Sequence, residues 1–162
     1  MSHTVTVTRT TTSTTTSAII LNTGYCKTAP GLLKIAEVII GLVIFILMNI
    51  YSDYFYLYSR GFTEHMYLFL VVFACLVSST CLFLSCLFSL STSSIISKTL
   101  YEFTYHGVAF LLYLVTMILY FVKDRNNRNT HHPNSTVGVL GLIMVVLYLA
   151  STILAYRSYR GP

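Results

Sequence analysis

The stretch LLKIAEVIIGLVIFILMNI, Leu32 to Ile50, decides the fold. After Glu37 it carries no charged residue. A surface helix of a soluble domain would interrupt such a run with charges on its outward face. A helix crossing a bilayer needs about 20 predominantly apolar residues for a core of about 30 Å, and this run meets that need. Three similar runs follow, at Tyr67 to Leu90, Tyr105 to Val122 and Val137 to Tyr156. Each is continuously apolar. Barrel strands would alternate between apolar and polar positions in shorter segments. Within lipid the helix satisfies every backbone polar group internally. The expected fold is therefore an all-α membrane protein, a bundle of four transmembrane helices.

The composition agrees. Charged residues make up 9% and hydrophobic residues 55%, with a mean hydropathy of +0.72. A soluble domain carries about 25% charged residues, so this chain cannot coat a water-facing surface. The net charge of +5 comes from basic residues scattered singly between apolar runs. Nucleic-acid recognition needs a clustered basic face, so no nucleic-acid partner is expected. Trp is absent while Tyr numbers 13, so Tyr takes the interfacial role that Trp often shares.

Three segments organise the chain. Residues 1–30 are expected to be a disordered, Thr/Ser-rich cytosolic tail, because they hold too little apolar surface to offset the entropy of ordering. Pro30-Gly31 is expected to break the chain before the first helix. Residues 31–157 form the membrane domain, and residues 158–162 a short cytosolic tail. The first loop, Tyr51 to Met66, is aromatic and suits the headgroup region. The second, Ser91 to Thr104, is Ser/Thr-rich, and the third, Lys123 to Thr136, is the most polar. The polar start is unlike a cleavable signal peptide, whose apolar region runs about 7–15 residues. Lys and Arg are more numerous on the side holding both termini, which favours cytosolic termini.

Few residues could carry chemistry. Lys34 and Glu37 stand three apart near the start of the first span, on one helix face, and form a candidate intramembrane ion pair. The alternative places both at the membrane edge, where Lys34 snorkels and Glu37 favours the helix N-terminus. Glu102 and His106 form an i,i+4 pair at the mouth of the third span, short of the three or four ligands a metal needs. His131 and His132 read as a solvated loop. Cys26 is juxtamembrane and a candidate for S-palmitoylation. Asn134 begins an N-glycosylation sequon, a weaker candidate because it abuts the fourth span. Ala74, Ser78, Cys81, Ser85 and Ser89 recur at three- or four-residue spacing, which predicts a helix-packing face. Gly138 and Gly141 are expected to serve packing as well. No nucleophile–base pairing, phosphate loop, paired carboxylate or zinc spacing occurs in the sequence, so neither a catalytic residue nor a cofactor is expected.

The first span, GLLKIAEVIIGLVIFIL from Gly31 to Leu47, with its early basic and acidic residues, resembles the MARVEL-domain tetraspan family, which includes MAL-, plasmolipin- and CMTM-like proteins. The aromatic first loop and the ending AYRSYRGP are similar to plasmolipin and its relatives. The Thr-rich tail resembles those of insect members. The resemblance covers about Gly31 to Gly161. It implies four helices with cytosolic termini and non-enzymatic work in vesicle sorting, lipid-domain organisation or membrane apposition and fusion. It implies membrane lipids and other membrane proteins, or a second copy of the chain, as partners, with no small-molecule substrate. One departure is the lack of loop cysteines, so no disulfide-stabilised loop is expected. Claudins and tetraspanins fit less well: the first carry a Trp- and Cys-marked loop, the second a large Cys-rich one.

The rival reading from the residues is a pore or transporter subunit with Glu37, Glu102 and His106 along a polar path; a further alternative is a cell-junction assembly partner. The orientation is directly testable. An epitope tag at Met1 should be digested when protease reaches the cytosolic face of sealed vesicles, and protection there would reverse the topology.

Overall fold

The computed structural model describes residues 22–51, 64–126 and 133–161. Four long helices dominate it: α1 (Ala29–Ile50), α2 (Glu64–Phe88), α4 (Leu100–Asn126) and α5 (Pro133–Arg160). A short helix, α3 (Leu90–Ile96), links α2 to α4. No strand occurs among the described residues. All four long helices are long and apolar enough to cross a membrane, over 29–50, 65–88, 100–122 and 135–160.

The helices close into a ring. α1 packs on α2 and α5, and α4 packs on the same two. The Asn22–Leu87, Lys34–Glu102 and Glu37–Ser151 contacts show that α1 and α4 begin, and α2 and α5 end, at one face, which holds Asn22 and Gly161, the two ends of the described chain. On α1 the buried positions are Gly31, Lys34, Glu37, Gly41, Ile44 and Met48, one stripe at helical spacing. The outward positions, such as Leu32, Ile39, Leu42 and Ile46, are apolar. This pattern inverts that of a soluble helix, since the charges point in and the aliphatic side chains point out. Only 28–39% of each span is buried within the chain, so the apolar remainder faces lipid.

The core joins Ile44 and Met48 of α1 to Leu68 and Val72 of α2, Tyr113 and Met117 of α4, and Met144 and Tyr148 of α5. Phe45 stacks on Phe69 at 5.3 Å between ring centres, and Tyr113 stacks on Tyr148 at the same distance. Gly138 and Gly141 serve packing, as expected. A methyl group on Gly141 would collide with the Met117 thioether, and one on Gly138 would lie 3.2 Å from the Phe121 ring.

Four expectations change. First, residues 22–30 are ordered, whereas residues 1–21 of the expected tail lie outside the described residues. The Asn22 amide donates to the Leu87 carbonyl at 2.7 Å, and Tyr25–Lys27 form a 3-10 turn with Tyr25 buried. Second, Pro30-Gly31 does not break the chain, because α1 already begins at Ala29. Pro30 sits in the first turn, where its missing N–H would be unbonded anyway. Thr28 caps this turn, accepting from the Gly31 amide at 3.2 Å and donating to the Tyr25 carbonyl at 2.7 Å. Third, the second loop is partly helical. The backbone turns extended at Ser89, whose hydroxyl accepts from the Thr92 amide at 3.2 Å and so starts α3. Fourth, the small-residue stripe of α2 does not pack within the chain. Ala74, Cys81 and Ser85 are exposed, Ser78 and Ser89 are half-buried, and the inward face is Leu68, Val72, Cys75, Ser79, Leu82 and Cys86. Ser85 returns its hydroxyl to its own helix, donating to the Cys81 carbonyl at 2.8 Å. The inward face instead carries the larger side chains that fill the core. Residues 52–63 of the aromatic loop, and His131 and His132, lie outside the described residues.

Gly31 is the tightest point of the entry to α1, since a methyl group there would overlap the Tyr25 carbonyl. Gly31→Ala should destabilise the protein by about 1–3 kcal/mol. Gly24→Ala, where a methyl group meets only Asn22 Oδ1 at 3.6 Å, should change far less. Thermal unfolding of both variants in one detergent compares them, and equal stability would refute the close-approach role of Gly31.

Candidate functional site

The charged stripe of α1 meets polar groups from every other long helix in one layer. α4 begins near the same face, and its first two turns present Glu102, Tyr105 and His106 inward. α2 and α5 approach their ends there and supply Ser79, Tyr148 and Ser151. The layer lies within the spans, and Lys34, Glu37 and His106 are each no more than 2% exposed. Burial of that degree in an apolar surround demands partners for every charge.

The partners lie across helices. Lys34 Nζ donates to Glu102 Oε1, a buried ion pair between α1 and α4. Glu37 Oε2 accepts from Ser79 Oγ of α2 at 3.0 Å, and Glu37 Oε1 accepts from Ser151 Oγ of α5 at 2.5 Å. Ser79 has one hydroxyl hydrogen, given to Glu37. Its oxygen lies 3.1 Å from Tyr148 Oη and 2.9 Å from Tyr105 Oη. Tyr105 Oη in turn donates to the Cys75 carbonyl at 3.1 Å. Thus α1 is bonded to each of the other three spans through just two side chains.

His106 sits between the two carboxylates. Its Nδ1 lies 3.7 Å from Glu37 Oε1 and its Nε2 lies 3.9 Å from Glu102 Oε1. Both separations exceed hydrogen-bond length, and neither ring nitrogen has a hydrogen-bond partner. Tyr148 and Tyr105 flank the ring at 5.9 and 4.9 Å between centres. Beside His106 a cleft of about 20 Å³ is lined by Lys34, Glu102, Ser151, Leu33 and Ala155 and rimmed by Pro30, Ser97 and Ser158. That is room for about one water molecule. Outside the spans, Tyr25 plugs the same end of the bundle beside Cys86, and burial pushes its phenol well above the ordinary value, with smaller contributions from Cys86, Glu102 and Glu37.

Lys34 and Glu37 therefore share a layer, but each has its bonded partner on another helix rather than on α1. Glu102 and His106 belong to the same layer and do not form a separate helix-end contact. Ser79, Tyr105, Tyr148 and Ser151 were not singled out from the sequence. Their signal was available as hydroxyl groups about one to three turns inside apolar spans, level with the charges once the up-and-down topology is drawn. Cys26 is a free, half-buried thiol in the 3-10 turn, next to exposed Lys27. Asn134 lies in the first turn of α5. Among the described residues no group of His, Cys, Asp and Glu is arranged to hold a metal ion.

Four apolar spans closed around one polar layer define a tetraspan, multi-pass integral membrane protein. The chain matches the MARVEL family model, a membrane-associating domain, over residues 25–154. It belongs to that family, as the first span's resemblance implied. No curated protein and no solved structure matches it.

The ion pair sets the first expectation for this layer. Glu102→Gln leaves the Lys34 ammonium buried without its counter-charge and should cost about 3–5 kcal/mol. The double variant Lys34→Met, Glu102→Leu removes both charges and should recover most of that loss. Unfolding in mild detergent measures both, and a double variant no better than the single one would show that the two charges are uncoupled.

Proposed function

We propose that the protein is a non-enzymatic membrane organiser, acting in vesicle traffic, lipid-domain organisation or the apposition and fusion of membranes. The observation that carries this reading is the inverted polarity of the spans. Lys34, Glu37 and Glu102 turn inward and are held by partners, while aliphatic and aromatic side chains cover the outside of the spans up to the exposed Arg157 and Arg160 at the end of α5. Such a surface interacts with lipid tails and with other apolar helices, and the membrane-associating family supports the same role. Membrane lipids and other membrane proteins, or a second copy of this chain, are the partners that suit it. Both termini face the cytosol in this reading, at the plasma membrane or on vesicles. Cys26 would serve as an acylation point at the cytosolic face. The outward small-residue stripe of α2, from Ala74 to Ser85, would allow another membrane helix to approach closely.

A second reading, a pore or transporter subunit, draws on one observation: Glu37, Glu102 and His106 do converge. Beyond them toward the opposite face stand Ile44, Val72, Met117 and Met144, all no more than 1% exposed. An apolar layer of that kind opposes ion passage. Reconstitution into liposomes separates the readings. The organiser should cluster vesicles or redistribute between lipid phases without passing ions, whereas proton or ion flux that disappears in Glu37→Gln would overturn it.

A further inference from the structure

We propose that Glu37 and His106 together form a proton-binding site, holding one exchangeable proton reached from the membrane face that carries the chain ends and closed toward the opposite face.

The first argument is charge balance. Within the layer, Glu37 and Glu102 bring two negative charges and Lys34 one positive charge, which leaves one negative charge over when His106 is neutral. All four side chains are nearly or fully buried. An uncompensated charge in such a place is strongly disfavoured, and one added proton removes the imbalance.

Geometry says where the proton resides. Lys34 is committed to Glu102. Among the described residues Glu37 receives hydrogen bonds from the neutral hydroxyls of Ser79 and Ser151. His106 Nδ1 stands 3.7 Å from Glu37 Oε1, with both ring nitrogens lacking hydrogen-bond partners. The proton therefore rests on the Glu37 carboxyl or on the His106 ring. The remaining groups facing this pair are Lys34 on α1, Cys75 and Ser79 on α2, Glu102, Tyr105 and Tyr113 on α4, and Tyr148 and Ser151 on α5, with Tyr25 beyond Lys34. The thiol and the phenols are neutral in their ordinary forms at neutral pH, so they leave the charge count unchanged.

Access is one-sided. The cleft that His106 lines is also lined by Pro30 at the start of α1, Ser97 before α4 and Ser158 near the end of α5, all on that face, and has room for one water, which would relay a proton between the bulk and the pair. On the far side the buried Tyr113 ring is followed by Ile44, Val72, Met117 and Met144, each no more than 1% exposed. No oxidant or co-reactant takes part, because the step is only proton transfer from bulk water to a nitrogen or a carboxylate oxygen.

The experiment uses the full chain, labelled with 15N-histidine and 13C-glutamate, in lipid nanodiscs and in sealed vesicles. At neutral pH one proton should be found on this pair. It should show as a protonated-carboxyl infrared band lost in Glu37→Gln, or as an imidazolium nitrogen signal lost in His106→Gln. Ionised Glu37 together with neutral His106 at neutral pH would overturn the proposal, as would protons on both. In sealed vesicles of the wild type, which needs no variant to fold, the pH on each side is varied separately between about 5 and 8. The signal should follow the pH on the face of the chain ends alone. A signal that follows the other face, or both, would overturn the one-sided site. Loss of vesicle clustering bears on the organiser role and leaves this result untouched.

Discussion

A lysine and a glutamate buried in a span cannot stay unpaired, and on α1 they cannot be satisfied by lipid. That constraint organises the molecule. Lys34 finds Glu102 on α4, and Glu37 finds Ser79 on α2 and Ser151 on α5. Helix association in a bilayer gains little from the hydrophobic effect, because lipid tails are as apolar as leucine. Close packing and a few directional polar bonds must therefore set which helices meet and at what height. Here the polar bonds radiate from a single helix. They fix the rotation of α1, and the stripe from Gly31 to Met48 then delivers Gly41, Ile44 and Met48 to the core.

The segment before α1 supports that placement. Tyr25 closes the end of the bundle above the charges, and its carbonyl sits where only a glycine at position 31 lets it sit. Thr28 holds the two together by donating to that carbonyl and accepting from the Gly31 amide. A turn that is polar in sequence thus becomes a lid over buried charge, beside the one-water cleft that Lys34 and His106 line.

The spans were legible in the sequence because lipid imposes one simple requirement, a continuous apolar run of sufficient length. Their ends were less so. Pro30-Gly31 reads as a break, yet the first helical turn tolerates both residues. The Ser-rich link reads as a loop, yet Ser89 caps a short helix. The layer was half legible. Lys34, Glu37, Glu102 and His106 stand out as charges in or near apolar runs, but sequence spacing shows only neighbours on one helix. It therefore paired Lys34 with Glu37, whereas the bonds run between helices whose relative heights no local pattern encodes. The α2 stripe of Ala74, Ser78, Cys81 and Ser85 illustrates the opposite error. Small size suits close packing, but periodicity alone does not say which of two faces turns inward. The larger Leu68, Val72 and Leu82 settled that question by filling the core.

The position of the polar layer has a mechanical consequence. Hydrogen bonds and an ion pair hold the four spans together at the end near the chain termini. At the other end the described core includes Met48, Leu68, Met117 and Val137, with His65 edge-on to Tyr120 at 5.2 Å beside them. Directional bonds resist sliding and tilting, whereas contacts between flexible methionine side chains accommodate both. The polar layer is therefore a fixed level in the bundle, set off centre toward one leaflet. A change in bilayer thickness has to be accommodated away from that level, because the bonds of the layer hold the four spans in register there.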